Sequence, residues 1–116
     1  MEHHHLPTID WELGKKLAGN KLDLANDIIM MLSQSLPTDV ATIQQLAHAK
    51  KYHELQAEVH RLHGAVAYCG TPRLKALLAN MDAQLKASQL TDLPERLDQL
   101  NNETTALINA LNHDTN

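Results

Sequence analysis

The stretch YHELQAEVHRLHGAVAYC, Tyr52 to Cys69, decides how the rest of the chain is read. At ~100° per residue, Leu55, Val59, Leu62, Val66 and Cys69 fall in one stripe, in steps of four, three, four and three, which is the buried seam of an amphipathic helix. His60 lies roughly 140° from the centre of that stripe by the same arithmetic. Its neighbours one turn away are Ala57 and Gly64, and Ala67 follows two turns on. A helix with one plainly apolar side therefore presents on its other side an imidazole with no bulky group beside it along the axis.

Outward from this helix, punctuation divides the chain into six predicted helical segments. Gly70-Thr71-Pro72 forms a helix-to-helix corner: glycine suits the left-handed position after a helix, Thr71 can cap the next one, and proline is favoured at the first helical position. The helix from Pro72 to about Ser88 buries Leu74, Leu77, Leu78, Met81 and Leu85. A polar break at Ser88 to Asp92 precedes a last helix with Leu97, Leu100, Thr104, Leu107 and Leu111 as its seam. Upstream, Asp10 caps a short helix carrying Leu13 and Leu17 that ends at Gly19-Asn20, and Asn20 is placed to cap its successor. That second helix, from Lys21 to about Ser35, uses Leu22, Ala25, Ile29, Leu32 and Leu36 and is expected to stop at Leu36-Pro37. Thr38 opens a third, with Val40, Ile43, Leu46 and Ala47 inward and Lys50-Lys51 at its end. Short connections make neighbours antiparallel, so the expected fold is all-α, an up-and-down four-helix bundle with additional short N-terminal helices.

The 116 residues suffice for one domain with a modest core. Met1 to His5 reads as a purification-tag remnant, which sets aside His3, His4 and His5. The domain is placed at residues 6–113, with a frayed tail over 114–116. Ten basic against fourteen acidic residues leave a net charge of −4, which argues against nucleic-acid binding driven by bulk charge. Cys69 is the only cysteine, so no internal disulfide forms, and its place in the apolar stripe makes it a packed thiol in a reducing compartment. No apolar run approaches the ~18 residues of a membrane span. Each bundle has its own core, so a monomer without direct membrane contact is expected.

Among the remaining histidines, His48, His53 and His113 read as ordinary helical residues without a role. His60 differs because position, small neighbours and charge coincide: no acidic residue occurs between Val59 and Met81, whereas Arg61, Arg73 and Lys75 are basic. That bias favours an anionic group or an acidic partner surface. A metal site is not expected: His60 and His63 stand at i, i+3, but no His-Glu-x-x-His, second cysteine or carboxylate one turn from both accompanies them. Neither a hydrolase triad nor a glycine-rich phosphate loop is present, so ATP binding is not expected either.

The run His60-x-Leu62-His63-Gly64, followed by Tyr68-x-Gly70-x-Pro72-Arg73-x-Lys75 and an amphipathic helix, resembles the histidine-containing phosphotransfer (HPt) domains that end hybrid sensor kinases of the BarA/GacS class. The motif-level likeness covers about Glu58 to Lys86. It implies a phosphorelay intermediate, not an enzyme, in which His60 accepts a phosphoryl group from an aspartyl phosphate on one receiver domain and passes it to the aspartate of a response regulator. Gly64 matches the glycine that lets a receiver approach the ring. His63 matches a position where many family members carry a lysine that holds phosphoryl oxygens, and histidine there fits the BarA/GacS class. Ala57, Arg61, Gly64 and Ala67 then form the docking face. The resemblance implies no cofactor on this chain, Mg²⁺ on the partner receiver, and a cytoplasmic location, as the cytoplasmic C-terminal domain of a membrane-bound sensor kinase. Two other readings fit the helical periodicity: an adaptor that binds a partner without phosphorylation, and a DNA-binding helix-turn-helix, which the net charge of −4 opposes.

Overall fold

A computed structural model describes residues 6–114, and all regular structure among them is helical. There are five helices, α1 (Trp11–Leu17), α2 (Leu22–His48), α3 (Tyr52–Val66), α4 (Pro72–Lys86) and α5 (Leu93–Asp114). Helix α3 packs between α2 and α4, α4 against α5, and α5 back against α2, which closes a four-helix bundle; α1 lies on α2. The core is one continuous cluster fed by all four long helices, with Leu36, Ile43, Leu55, Val59, Leu78 and Leu100 fully buried. Five helices stand where six segments are expected, so a single short helix, not several, precedes the bundle.

The difference lies at Pro37, which sits inside α2 and does not end it. A proline in a helix interior forfeits one hydrogen bond and crowds the preceding turn, at about 3 kcal/mol. Two features offset this. Pro37 is exposed and Ser33, whose carbonyl loses its partner, is half-exposed, so water reaches the interrupted turn. The buried positions Ile29, Leu32, Leu36, Val40 and Ile43 also keep helical phase across the proline, so breaking the helix there would expose a seam that is already paired. At ~1.5 Å per residue, the 27 residues of α2 match the 40 Å long dimension of the molecule.

The turns follow local chemistry with two exceptions. Asp10 caps α1 by accepting a hydrogen bond from the Leu13 N–H at 3.0 Å. Gly70 is left-handed, with φ 65°, and Pro72 opens α4. Asn20 does not cap α2: with Gly19 it takes a left-handed conformation, and the capping position falls to Lys21. Thr71 precedes α4, but its buried hydroxyl makes no capping bond. In α1 it is Gly14 that is buried, with Ala18 just after the helix, while Leu13 and Leu17 face outward. Helix α5 is regular through Asp114, into the stretch expected to fray. The tag remnant at 1–5 and the tail at 115–116 lie outside the described residues. Among the described residues no helix is long and apolar enough to cross a membrane.

Candidate functional site

Helix α3 delivers the predicted residues in the predicted directions. Leu55, Val59, Leu62 and Val66 are buried, which turns His60 outward with its side chain 61% exposed. Ala57 and Gly64 are exposed and Ala67 is half-buried. A Cβ on Gly64 would meet nothing within 4 Å. Ala67 continues the stripe into an apolar groove of about 340 Å³, walled by Leu13 and Leu17 of α1 and by Ala76 and Ala79 of α4.

Behind His60 stands a residue the sequence reading did not single out. Asp82 of α4 is 5% exposed, the one acidic side chain buried among the described residues. Its Oδ2 lies 2.8 Å from Nδ1 of His60, while its Oδ1 accepts a hydrogen bond from Nε2 of Gln56 at 2.9 Å. Nδ1 of His63 and Nζ of Lys86 each lie 3.8 Å from the same Oδ2. Burial pushes the Asp82 carboxyl up, but the hydrogen bonds from His60 and Gln56, with the charges of Lys86 and His60, outweigh it and hold the group below its ordinary range. A signal for Asp82 exists in the sequence: it stands four residues after Leu78 and three before Leu85, in phase with the core seam of α4. A charged residue at such a position needs a partner.

The charge bias around His60 is largely cancelled in three dimensions. Arg61 is bound by Glu58 of its own helix at 2.8 Å and by Asp39 of α2 at 2.9 Å; the hydrogen bond it donates to Glu58, opposed by burial and reinforced by Asp39, raises its guanidinium well above the usual range. Arg73 pairs with Glu103 of α5 at 2.6 Å. The acids absent from the local sequence are supplied by α2 and α5. His48 and His53 are exposed on the surface. Cys69 is buried, and its desolvated thiol is pushed up to about 11. Among the described residues no group of three or more His, Cys, Asp or Glu side chains is arranged to hold a metal ion.

Comparison with known proteins agrees with this architecture. The Hpt domain family model matches residues 27–110. The chain is 41% identical over 81 residues to the sensor histidine kinase GacS of Pseudomonas protegens, covering 70% of this chain and 9% of that protein. It is 36% identical over 109 residues to the sensor protein GacS of Pseudomonas syringae pv. syringae, covering 93% and 12%. To the signal transduction histidine-protein kinase BarA of Escherichia coli K12 it is 32% identical over 100 residues, covering 82% and 11%. The chain thus spans about a tenth of the length of these relatives. The crystal structure of the HPT domain of a sensor hybrid histidine kinase from Shewanella superposes with a TM-score of 0.75 at 31% identity, over 91% of this chain and 95% of that one. Fold and similarity together define a phosphocarrier of phosphorelays, a non-catalytic intermediate that interacts with receiver domains. The chain belongs to the Hpt family, and within it is most similar to the domains of the BarA/GacS class.

Proposed function

We propose that His60 is the phosphoacceptor of this domain: it takes a phosphoryl group from the aspartyl phosphate of a hybrid kinase's receiver domain and gives it to the aspartate of a response regulator. The observation that carries this reading is the exposed His60 ring, 61% accessible, on a stripe of small residues and backed by a buried carboxylate at 2.8 Å. Transfer between phosphoryl carriers relies mainly on positioning, and a nucleophile on a rigid helix supplies it. The receiver brings Mg²⁺ and the catalytic groups. Ala57, Gly64 and Ala67 form the docking face with Arg61 at its edge, and the apolar groove carries that face onto Leu13 and Leu17, which are 37% and 41% exposed. His63 steadies the phosphoryl oxygens. The domain works as a monomeric cytoplasmic module of a membrane-bound sensor kinase.

The test is transfer from a phosphorylated receiver to the wild type and to His60→Gln, with the modified residue located by intact mass and fragmentation. Phosphate on His60 and none on the variant is the expected result. Labelled phosphate on a folded His60→Gln protein would refute the assignment.

A further inference from the structure

We propose that Arg73 is a positioning residue for the docking face: braced by Glu103, it clamps residues 6–10 to the bundle as a strap, and the strap keeps α1 in place as the outer wall of the groove that continues the His60 face. The inference rests on that groove being part of the receiver-docking face, and adds what holds its wall. Helix α1 has only seven residues, too few to persist without support. It buries Gly14, which has no side chain to anchor it, while Leu13 and Leu17 line the open groove across from Ala67, Ala76 and Ala79. Support comes from α2, on which it lies, and from the chain just ahead of it. There Ile9 packs against the core, the Asp10 N–H donates to the Gly70 carbonyl at 2.8 Å, and Arg73 reaches Thr8.

Arg73 suits this contact by its shape. Its Nε and Nη2 both donate to Oε2 of Glu103 on α5, at 3.1 and 2.6 Å. A guanidinium is a planar, rigid fork, so fixing two of its nitrogens aims the third. That third, Nη1, donates to Oγ1 of Thr8 at 3.4 Å. With the side chains of Arg73 and Glu103 26% and 16% exposed, the pair is sheltered enough to hold one geometry, and a charge that the local sequence offers to an anionic partner is used within the chain. When the clamp opens, α1 is left on the turn at Gly19 and Asn20 that joins it to α2, and a receiver finds the groove complete in fewer molecules. Its apparent affinity falls by that fraction. Whatever precedes residue 6 in a longer chain enters the domain through the strap, so a displacement of that entry reaches the docking face.

Two substitutions open the clamp: Thr8→Val removes the hydroxyl at nearly constant shape, and Arg73→Lys keeps a cation beside Glu103 but loses the fork. Thr8→Ser keeps the hydroxyl and serves as the rescue. Losing a hydrogen bond to a charged group shifts a local opening about tenfold, which takes α1 from in place in roughly nine molecules of ten to roughly one of two. The amides of Gly14 and Ala18, bonded to the Asp10 and Gly14 carbonyls, should therefore exchange about fivefold faster in the two opened variants, with α3 and α4 unchanged and Thr8→Ser like the wild type. Equal protection of α1 in all four proteins would overturn the clamp, and this measurement needs no receiver. Transfer from a phosphorylated receiver is then followed against the concentration of the domain. Half-saturation should need about twice the concentration in the opened variants, at the same limiting rate, because His60 and its surroundings are untouched. Unchanged half-saturation beside a loosened α1 would refute the link from strap to docking face. If no receiver phosphorylates His60 in the wild type, the carrier reading fails and the docking role with it, while exchange still decides the clamp.

Discussion

Gly70 lies against Gly14 so closely that a methyl group on Gly70 would come to 2.7 Å from the Gly14 Cα and 2.8 Å from the Asp10 carbonyl oxygen. The corner between α3 and α4 and the first turn of α1 are thus joined through two residues without side chains, and the Asp10 N–H donates to the Gly70 carbonyl at 2.8 Å. This contact holds Leu13 and Leu17 at the rim of the groove that continues the His60 face.

Gly70→Ala should therefore be costly. Alanine at φ 65° is disfavoured, and the methyl group must displace backbone, so a loss of about 3 kcal/mol is expected from the two effects together. Urea denaturation reads the loss, and hydrogen exchange should show α1 released first. A variant as stable as the parent would mean that the two segments are not in contact.

Gly64 predicts the opposite. Nothing within the molecule occupies the space above it, and glycine inside a helix is about 1 kcal/mol less favourable than alanine. Gly64→Ala should raise stability by up to that amount. Gly64→Gln should leave the fold intact and weaken receiver binding by obstruction, as read by titration calorimetry. Unchanged affinity would remove Gly64 from the docking face.

His63→Ala separates acceptance from retention. The side chain is 28% exposed and shares the Asp82 carboxylate at 3.8 Å, so its removal should leave His60 able to accept phosphate. The lifetime of the phosphorylated form should shorten about fivefold, the worth of about 1 kcal/mol of hydrogen bonding. Equal hydrolysis rates in variant and wild type would make His63 a bystander.

Stability should depend on Asp82 at acid pH. Its carboxyl titrates lower in the folded protein than in the unfolded chain, so its contribution is complete above the unfolded value of about 3.9 and lost as pH falls through the folded one. Asp82→Asn should flatten the acid limb of the unfolding free energy. Cys69 acts at the other end: its folded thiol is raised to about 11, so stability declines once pH passes the ordinary thiol range and the unfolded chain alone ionises. Denaturation midpoints across pH test both limbs, and a Cys69→Ala variant should lack the alkaline one.

Much of this molecule is local and was legible as such. Steps of three and four residues placed Leu55, Val59, Leu62 and Val66 inward and His60 outward, because a helix turns by a constant angle whatever surrounds it. Asp10 and Gly70 did what capping and left-handed turns require of their types. The break expected at Pro37 failed because proline acts on one turn, whereas the seam from Ile29 to Ile43 is held by three other helices along its length. The exposed leucines of α1 were hidden for a related reason: a seven-residue helix docks by whichever face lets its backbone come near, and here Gly70 of the facing corner allows the backbone at Gly14 that approach.

The sequence alone determined the helical class, the inner face of each long helix and the histidine that faces solvent. Only the tertiary structure decided what stands behind that histidine. Asp82 is 22 residues away along the chain, on a helix whose rotation and register against α3 are set by packing of the whole core. The same holds for Asp39 and Glu103, which neutralise Arg61 and Arg73 from other helices. Periodicity is a property of one helix, but the distance between charges on two helices belongs to their interface, and that exists only once the bundle has closed.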